Sequence, residues 1–328
     1  MPDIFFYEAF EEEEEALKRY LPPEVKAGFT RKTIQEEELR TLPASIISIR
    51  TQSIIPISWA SKMSGLLTRS TGYDHIHRYL HKCRKNFPCG YLPLYCSRAV
   101  AEQTMLLWMS VLRKLPQQIE QFNNFNRDGL TGQECQHKTL LVVGVGHIGY
   151  ETVKIGKGLG MNVLGVDIDE RHADVSYTSI EKGLSQADIV VCAMNLTPDN
   201  VGYFNYSVLK QGKPGMIFIN IARGELSPSV DLLHLIDDKF LGGVALDVYD
   251  KESELAILLR RGKIHNNKKI ETLITLELAK RPNVILTPHN AFNTQESVDK
   301  KSAHSIQQIT HFQKEGQFLW KVPESVIQ

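Results

Sequence analysis

A glycine-rich turn followed by a carboxylate is the feature of this sequence that most directly indicates chemistry. Gly144, Gly146 and Gly149 form a G-x-G-x-x-G motif after an apolar run, and the next apolar run ends in Asp167. The first glycine allows a tight turn, the second lets the backbone approach a pyrophosphate, and the third lets helix and strand pack closely. The pyrophosphate would lie at a helix N-terminus, where free N–H groups and the helix dipole favour anions. The motif therefore predicts a dinucleotide-binding site.

The acid after this motif indicates which dinucleotide is bound. A carboxylate at the position of Asp167 accepts hydrogen bonds from the adenine-ribose hydroxyls and repels a 2′-phosphate. NAD is therefore predicted in preference to NADP, although the nearby Arg171 weakens this preference.

Three later segments and two earlier ones complete a recognisable set. The later segments are FINIARGEL with Arg223, GGVALDVYDKE with Asp247 and Glu252, and NVILTPHNAF with His289. With RSTGYDHI at 69–76 and YCSRAVAEQT at 95–104, they resemble the D-isomer-specific 2-hydroxyacid dehydrogenases over about residues 45–312. The resemblance implies an NAD-dependent oxidoreductase that transfers a hydride between nicotinamide and C2 of a small 2-keto/2-hydroxy acid.

The resemblance also implies a role for each residue of the later segments. His289 would be the general acid/base, because reduction of a keto group needs a proton at oxygen and imidazole titrates in the right range. Glu252 would pair with His289 and favour its protonated form. Arg223 would bind the substrate carboxylate and polarise the C2 carbonyl, since its planar fork matches a carboxylate. Asp247 would hold the nicotinamide carboxamide.

The remaining binding residues are likewise implied by the resemblance. The backbone around Thr71 and Gly72 would bind the substrate carboxylate, and Phe292 would wall the side-chain pocket. His147 and Ile148 would lie at the pyrophosphate. The nicotinamide half of the cofactor would contact Met194, Asn195, Asn200, Ile221, Ala222 and Arg223.

Two positions depart from the pattern of this family. Asn195 stands where a proline is usual, which puts the local geometry of the nicotinamide loop in doubt. Cys96-Ser97 replaces the Ser-Pro usually found before the long helix. Neither change removes a chemical group that the mechanism requires.

The elements that must position these residues alternate between strands and helices. Apolar, β-branched runs alternating with helical patterns are typical of parallel βαβ units, and strands apolar throughout are typical of sheets covered on both faces. The predicted strands are 4–7, 46–50, 65–69, 87–92, 140–145, 162–167, 188–194, 216–221, 243–248 and 284–287. The predicted fold is α/β, with two doubly wound parallel-sheet domains: a flavodoxin-like substrate domain and a Rossmann NAD-binding domain.

The glycine motif begins after residue 140, so an entire domain precedes the nucleotide domain. The substrate domain is predicted to be discontinuous, from residues 1–98 and 294–328, with the NAD-binding domain at 99–293. Helices are predicted over Glu11–Tyr20, with a solvated run of glutamates, over Ala99–Leu115, and from a capping box of Asn293 and Glu296 through about Phe312.

Composition excludes several classes of protein. Formal net charge is zero, which argues against nucleic-acid binding. No apolar stretch is long enough for a membrane span, and no signal peptide is visible. The five cysteines form no CxxC pair, so neither a disulfide framework nor a metal site is predicted. A cytoplasmic protein is expected, and the resemblance implies a homodimer.

The substrate stays open at this point. Glu252 and His289 are separated by 36 residues, and this long link looks like the D-lactate dehydrogenase branch, which favours pyruvate/D-lactate. Bulkier acids such as phenylpyruvate or 2-ketoisocaproate are alternatives, because one methylene changes binding by only about 1–3 kcal/mol. Formate, phosphite or 3-phosphoglycerate are others, and a phosphorylated substrate could use Arg50, Lys62 and Arg69. An alternative of another class is an NAD-sensing corepressor, which would retain the same residues.

Overall fold

A computed structural model describes residues 2–37, 41–261 and 270–324 of the chain. The chain divides into two compact units, the first formed by Met1–Cys96 with Asn293–Gln328 and the second by Ser97–Phe292. Over the described ranges, no helix is both long enough and apolar enough to cross a membrane.

Strands and helices alternate along the described residues. The strands are β1 (Ile4–Phe6), β2 (Ala27–Phe29), β3 (Ile46–Ile49), β4 (Gly65–Thr68), β5 (Cys89–Gly90), β6 (Thr139–Val143), β7 (Asn162–Val166), β8 (Ser176–Tyr177), β9 (Ile189–Cys192), β10 (Ile217–Asn220), β11 (Gly243–Leu246) and β12 (Val284–Leu286). The α-helices are α1 (Glu11–Tyr20), α2 (Ile34–Glu37), α3 (Asp74–Cys83), α4 (Ser97–Leu112), α5 (Leu115–Phe122), α6 (His147–Gly158), α7 (Ile180–Gln186), α8 (Tyr206–Leu209), α9 (Ser229–Asp237), α10 (Glu252–Arg261), α11 (Ile270–Leu278) and α12 (Gln295–Glu315).

The first unit contains a parallel sheet whose described strands have the order β2-β1-β3-β4-β5. Helix α12 packs on α1 and on β4. Gly65 on β4 leaves room for this helix, because a Cβ atom there would lie 2.8 Å from the ring of Phe312. The C-terminal helix is therefore part of the same compact unit as the N-terminal sheet.

Helix α1 begins with the acidic turn Glu11–Glu14, which the positive end of the helix dipole favours. The prediction that its glutamates are solvated is wrong for Glu13, which lies on the buried face with Ala16. The Oε1 atom of Glu13 is 2.8 Å from Arg69 Nε and 2.9 Å from Lys301 Nζ. Burial raises the pKa of Glu13, but the two cations outweigh this effect and lower it to about 2.

The second unit contains a parallel sheet with the order β12-β11-β10-β9-β6-β7-β8 among its described strands. β9, β10 and β11 are buried at every residue, as expected where helices cover both faces of a sheet. The strand order changes direction between β6 and β9. In open α/β sheets, ligands bind outside the carboxyl ends of the strands at such a switch point. The predicted α/β fold with two parallel sheets is confirmed.

Several predicted boundaries differ from the structure. The strand predicted at 87–92 is reduced to β5, and the short strands β2 and β8 escaped prediction because two or three residues show no periodicity. The long helix α4 ends at Leu112, and Lys114 adopts a left-handed φ of 53° before α5 begins. The capping box at Asn293 is wrong, because Thr294 is the N-cap of α12 and its side chain accepts the Ser297 N–H.

Candidate active site

Predicted site residues of the second unit lie just after successive strands of its sheet. Because parallel strands end at one edge, the fold brings these positions to a common edge. They are Gly144 after β6, Asp167 after β7, Met194 after β9, Ala222 after β10, Asp247 after β11 and His289 after β12.

The three motif glycines have different steric environments. Gly144 has φ of +92°, and a Cβ atom there would lie 2.5 Å from the backbone of Met194. A Cβ atom on Gly149 would lie 1.9 Å from the Gly144 carbonyl oxygen. Gly146 is the N-cap of α6, and no atom lies within 4 Å of a Cβ atom placed on it. The first and third glycines are therefore required by the fold, whereas the second leaves open space at the helix N-terminus, next to His147 and Ile148.

Asp167 is connected to the glycine turn. Its Oδ2 accepts the Val145 N–H at 2.5 Å, and its Oδ1 accepts the Asp169 N–H at 3.0 Å. Arg171, which weakened the prediction of NAD, donates to Asp169 at 2.6 Å. The only acid predicted to accept ribose hydroxyls thus lies beside the turn, and the nearby cation is paired with another carboxylate.

The loop predicted to face the nicotinamide is closed by one side chain. Asn200 Oδ1 accepts the Thr197 N–H, and Asn200 Nδ2 donates to the Asn195 carbonyl oxygen, both at 2.8 Å. Asn195, which replaces the usual proline, thus has its carbonyl fixed by Asn200. Through these two hydrogen bonds, the side chain of Asn200 stabilises the loop that contains Met194.

Asn220 is a site residue that the sequence analysis missed. It is fully buried at the end of β10, and its side-chain amide donates to the Arg223 carbonyl and to the Ser227 hydroxyl, while its Oδ1 accepts the Ala222 N–H. These bonds shape the turn that holds Ile221, Ala222 and Arg223. The available signal was a polar residue ending an otherwise apolar strand.

Asp247 fixes the loop after β12. The residue is 1% exposed, and its carboxylate accepts hydrogen bonds from the Thr287 hydroxyl and from the N–H groups of Asn290 and Ala291 at 2.5–2.9 Å. Burial raises the pKa of Asp247, whereas the electrostatic interaction with His289 and the hydrogen bonds from these donors lower it. Besides its predicted contact with the cofactor, Asp247 therefore orders the loop that contains His289.

His289 and Glu252 are brought together by this loop and by the start of α10. His289 Nδ1 lies 2.7 Å from Glu252 Oε1, and each side chain is 19% exposed. An ionised carboxylate can only accept a hydrogen bond. We therefore assign a proton to Nδ1 of His289, which donates to Glu252, and Nε2 is left for another partner. The backbone of His289 is left-handed, with φ of 51°, and strained positions of this kind cluster at functional sites.

The loop whose backbone is predicted to bind the substrate carboxylate, around Thr71 and Gly72, lies in the first unit, after β4. The Ser70 hydroxyl donates to the Gly72 carbonyl at 2.7 Å and lies 2.6 Å from the Thr68 hydroxyl. The Thr71 hydroxyl lies 3.6 Å from the Cys96 sulfur. These contacts give the loop a defined shape. Phe292, at the end of the second unit, is buried.

The residues of the second unit fit a dinucleotide. Open space at Gly146 beside a helix N-terminus suits a pyrophosphate, and the Asp167 carboxylate suits vicinal hydroxyls. Among the residues that the structure describes, no group of three or more His, Cys, Asp or Glu side chains could hold a metal ion.

Comparison with known proteins agrees with this geometry. The family model for D-isomer specific 2-hydroxyacid dehydrogenase, NAD binding domain, matches residues 104–291, more than half of the chain. The chain is 32% identical over 262 residues to an aromatic 2-oxoacid reductase of Clostridium sporogenes, which covers 76% of each protein. It is 31% identical over 253 residues to a D-lactate dehydrogenase of Streptococcus agalactiae, which covers 75% of each.

Solved structures give the same result over the whole length. The D-lactate dehydrogenase from Aquifex aeolicus, in complex with NAD and lactic acid, aligns with a TM-score of 0.82 at 26% identity. The alignment covers 98% of this chain and 100% of that chain. The similarity therefore extends through both units, each with its own parallel sheet.

Proposed function

Since the chain belongs to the D-isomer-specific 2-hydroxyacid dehydrogenase family and is an NAD-dependent enzyme, we propose that it interconverts pyruvate and D-lactate, with His289, Glu252 and Arg223 as its catalytic residues. The observation that carries the assignment of the catalytic residues is the 2.7 Å contact between His289 Nδ1 and Glu252 Oε1. NAD, when bound, supplies or accepts the hydride at C2 of the acid.

The side chains of the site handle the proton and the charge. With Nδ1 donating to Glu252, His289 Nε2 gives a proton to the keto oxygen in reduction and takes it back in oxidation. Glu252 stabilises the positive imidazolium. Arg223 binds the substrate carboxylate through its guanidinium. Within the first unit, we assign the backbone of Thr71 and Gly72 to carboxylate binding, as the family resemblance implies.

The relatives favour two different substrates. The Streptococcus D-lactate dehydrogenase and the Aquifex complex with lactic acid support pyruvate/D-lactate, and the bulk of Phe292, three residues after His289, supports a small pocket. The second candidate is a bulkier 2-keto acid such as phenylpyruvate, favoured by the similarity to the Clostridium aromatic 2-oxoacid reductase.

A phosphorylated substrate is disfavoured by the environment of Arg69. Its guanidinium is fully buried and donates to Glu13, to the Ser48 hydroxyl and to the Tyr7 carbonyl. Each of the three guanidinium nitrogens of Arg69 therefore donates to an atom of the protein itself. This removes one of the three basic residues that kept the phosphorylated alternative open.

The deciding experiment is NADH oxidation by the purified protein with pyruvate and with phenylpyruvate. A higher kcat/KM with pyruvate supports the proposal, and a higher value with phenylpyruvate supports the second candidate. In the latter case Phe292→Ala should raise the preference for phenylpyruvate further, whereas Phe292→Leu should change it less. Binding of NADH without reduction of either acid would refute both.

We further propose a homodimer formed through the second unit. Ile119 and Phe122, three residues apart on α5, and Phe125 just after it are 66%, 72% and 75% exposed, and large exposed apolar side chains so close in the chain are typical of an interface. A second copy of the chain is the occupant that the family resemblance favours. Light scattering should give a dimer for the wild type and for the control Ile57→Glu in the first unit, and a monomer for the double variant Ile119→Glu/Phe122→Glu. A wild-type monomer would refute the proposal.

A further inference from the structure

The segment Tyr249–Asp250, between β11 and α10, contacts the loop that contains Arg223. A Cβ atom on Gly224 would lie 1.9 Å from the Tyr249 carbonyl carbon and 2.4 Å from the Asp250 nitrogen. Real Cβ atoms do not come this close, so only glycine allows the two backbones to approach. Because Gly224 directly follows Arg223, the backbone of Arg223 is held against this segment.

Asp250 forms a second link to the same part of the chain. Its Oδ2 accepts the Ser229 N–H at 3.0 Å, at the first residue of α9. The pKa of Asp250 is raised to about 6, mainly by burial. The carboxylates of Glu225 and Glu271 also raise it, whereas the Ser229 amide and Lys251 lower it. Burial therefore disfavours the ionised form of this carboxylate, and the N–H groups at the start of α9 partly offset that cost.

Tyr249 links the segment to the loop that contains His289. Its ring is buried, and its hydroxyl donates to the Thr287 carbonyl and lies 3.1 Å from the Leu246 carbonyl. The Thr287 carbonyl also accepts the His289 N–H at 2.9 Å. Burial raises the pKa of Tyr249, as do Asp247 and Glu252, so the phenol stays protonated and remains a donor.

We propose that Tyr249 and Asp250 are positioning residues that hold the loops of Arg223, Glu252 and His289 in register. Glu252 begins α10 two residues after Asp250, so the segment leads directly into the partner of His289. The inference rests on the function proposed above. A displacement of about 1 Å between reacting groups can cost about 100-fold in rate, so small shifts of this segment have large effects.

The test removes a single oxygen atom. Tyr249→Phe keeps the ring and loses both carbonyl contacts. Tyr206→Phe is the matched control, because its hydroxyl donates to Asp238, the C-cap residue of α9, outside the loops in question. We expect Tyr249→Phe to lower kcat by about 10- to 100-fold, with NADH affinity within a factor of about two of wild type. A larger primary isotope effect with C4-deuterated NADH should accompany this loss. The control should match the wild type in kcat, in NADH affinity and in the isotope effect.

A spectroscopic readout separates this inference from the proposed function. The far-downfield NMR resonance of the His289 Nδ1 proton, assigned by its absence in His289→Asn, reports the contact with Glu252 without turnover. It should broaden or disappear in Tyr249→Phe and persist in Tyr206→Phe. If the wild type reduces no 2-keto acid, the proposed function fails, while this resonance still decides whether Tyr249 positions His289.

Asp250→Ala keeps the test open if Tyr249→Phe does not fold. Its methyl group cannot accept the Ser229 N–H, so the link to α9 is lost. We expect a lower kcat and a weaker His289 resonance in Asp250→Ala, and values close to wild type in the control Asp250→Asn, whose amide oxygen can still accept this N–H. Wild-type kcat and an unchanged His289 resonance in both Tyr249→Phe and Asp250→Ala would overturn the inference. Loss of kcat only in parallel with NADH affinity, with the resonance intact, would also overturn it.

Discussion

The imidazole of His289 and the carboxylate of Glu252 lie 2.7 Å apart although 37 positions separate them in the sequence. The contact depends on Asp247, whose buried carboxylate fixes the loop after β12 through three donors. The carboxylate of Asp247 thus supports the loop that carries His289. Sites held by such supporting contacts need little rearrangement during a reaction.

This arrangement makes Glu252 and His289 separable by mutation. Glu252→Gln removes the charge that stabilises the imidazolium but keeps a hydrogen-bond acceptor, so we expect kcat for keto-acid reduction to fall about 10- to 100-fold, each decade being about 1.4 kcal/mol. His289→Asn removes the proton donor and should cost about 10²- to 10⁴-fold. Steady-state kinetics with NADH titrations checks both, and Glu277→Gln on α11 is the control. Wild-type turnover in His289→Asn would exclude its role as acid/base.

The glycine turn gives a prediction in which two similar variants behave differently. Gly149→Ala places a Cβ atom 1.9 Å from the Gly144 carbonyl oxygen, so the variant should lose thermal stability as well as NADH binding. Gly146→Ala meets no protein atom within 4 Å, so it should keep the wild-type melting temperature and lose at least about 10-fold in NADH affinity, since the methyl group fills the space assigned to the pyrophosphate. Calorimetry and NADH fluorescence distinguish the two. Tight NADH binding by Gly146→Ala would place the pyrophosphate elsewhere.

The sequence predicts residues whose chemistry is encoded by local spacing. The glycine motif and Asp167 follow from the geometry of one βαβ unit, and the parallel sheets follow from strands that are apolar on both faces. Asn220 left a local signal, because it is a polar residue at the end of an apolar strand and its partners are within seven positions. Tyr249 could not be predicted in this way, because its hydroxyl contacts the Thr287 carbonyl, 38 positions away, only when two separate loops fold against each other.

The burial of Glu13 is a second feature that depends on contacts between distant parts of the sequence. A run of five glutamates reads as a solvated helix start, and four of the five follow that pattern to different degrees. The burial of Glu13 depends on Arg69 and Lys301, which are 56 and 288 positions away. Local spacing places Glu13 on one face of α1 with Ala16 and Leu17, but nothing local identifies the two distant cations that compensate its buried charge.

Replacing Asp167 or Asp169 should lower the preference for NADH over NADPH, but for different reasons. Asp167→Ala removes the acceptor predicted for the ribose hydroxyls and the bond to the Val145 N–H, so NADH affinity should fall by at least about 10-fold and NADPH affinity much less. Asp169→Ala releases Arg171 from its 2.6 Å pair, so NADPH affinity should rise a few-fold while NADH affinity is retained. Fluorescence titrations with both cofactors test this. An unchanged NADH/NADPH ratio in Asp167→Ala would remove that residue from the ribose.

The buried ions of the first unit should govern its stability as a function of pH. Glu13→Gln leaves Arg69 and Lys301 without their shared carboxylate, and breaking a buried pair in this way costs about 3–5 kcal/mol. Lys301→Met leaves one carboxylate facing one guanidinium, so the free energy of unfolding at pH 7 should stay within about 1 kcal/mol of wild type or increase. Denaturant unfolding measures both, and equal destabilisation by the two variants would contradict this account.

Lys301 and Glu13 should each change how the free energy of unfolding depends on pH. Burial, opposed by Glu13, lowers the pKa of Lys301 from 10.5 to about 7, so between these values the unfolded chain binds more protons and the free energy of unfolding rises with pH. The lowered pKa of Glu13 gives stability that is present above pH 4.5 and is lost as the pH falls towards 2. Relative to wild type, Lys301→Met should therefore lose stability steadily from pH 7 to pH 10, and Glu13→Gln should become less destabilising below pH 4.5. A difference between Lys301→Met and wild type that stays constant from pH 7 to pH 10 would show that Lys301 does not titrate in this range.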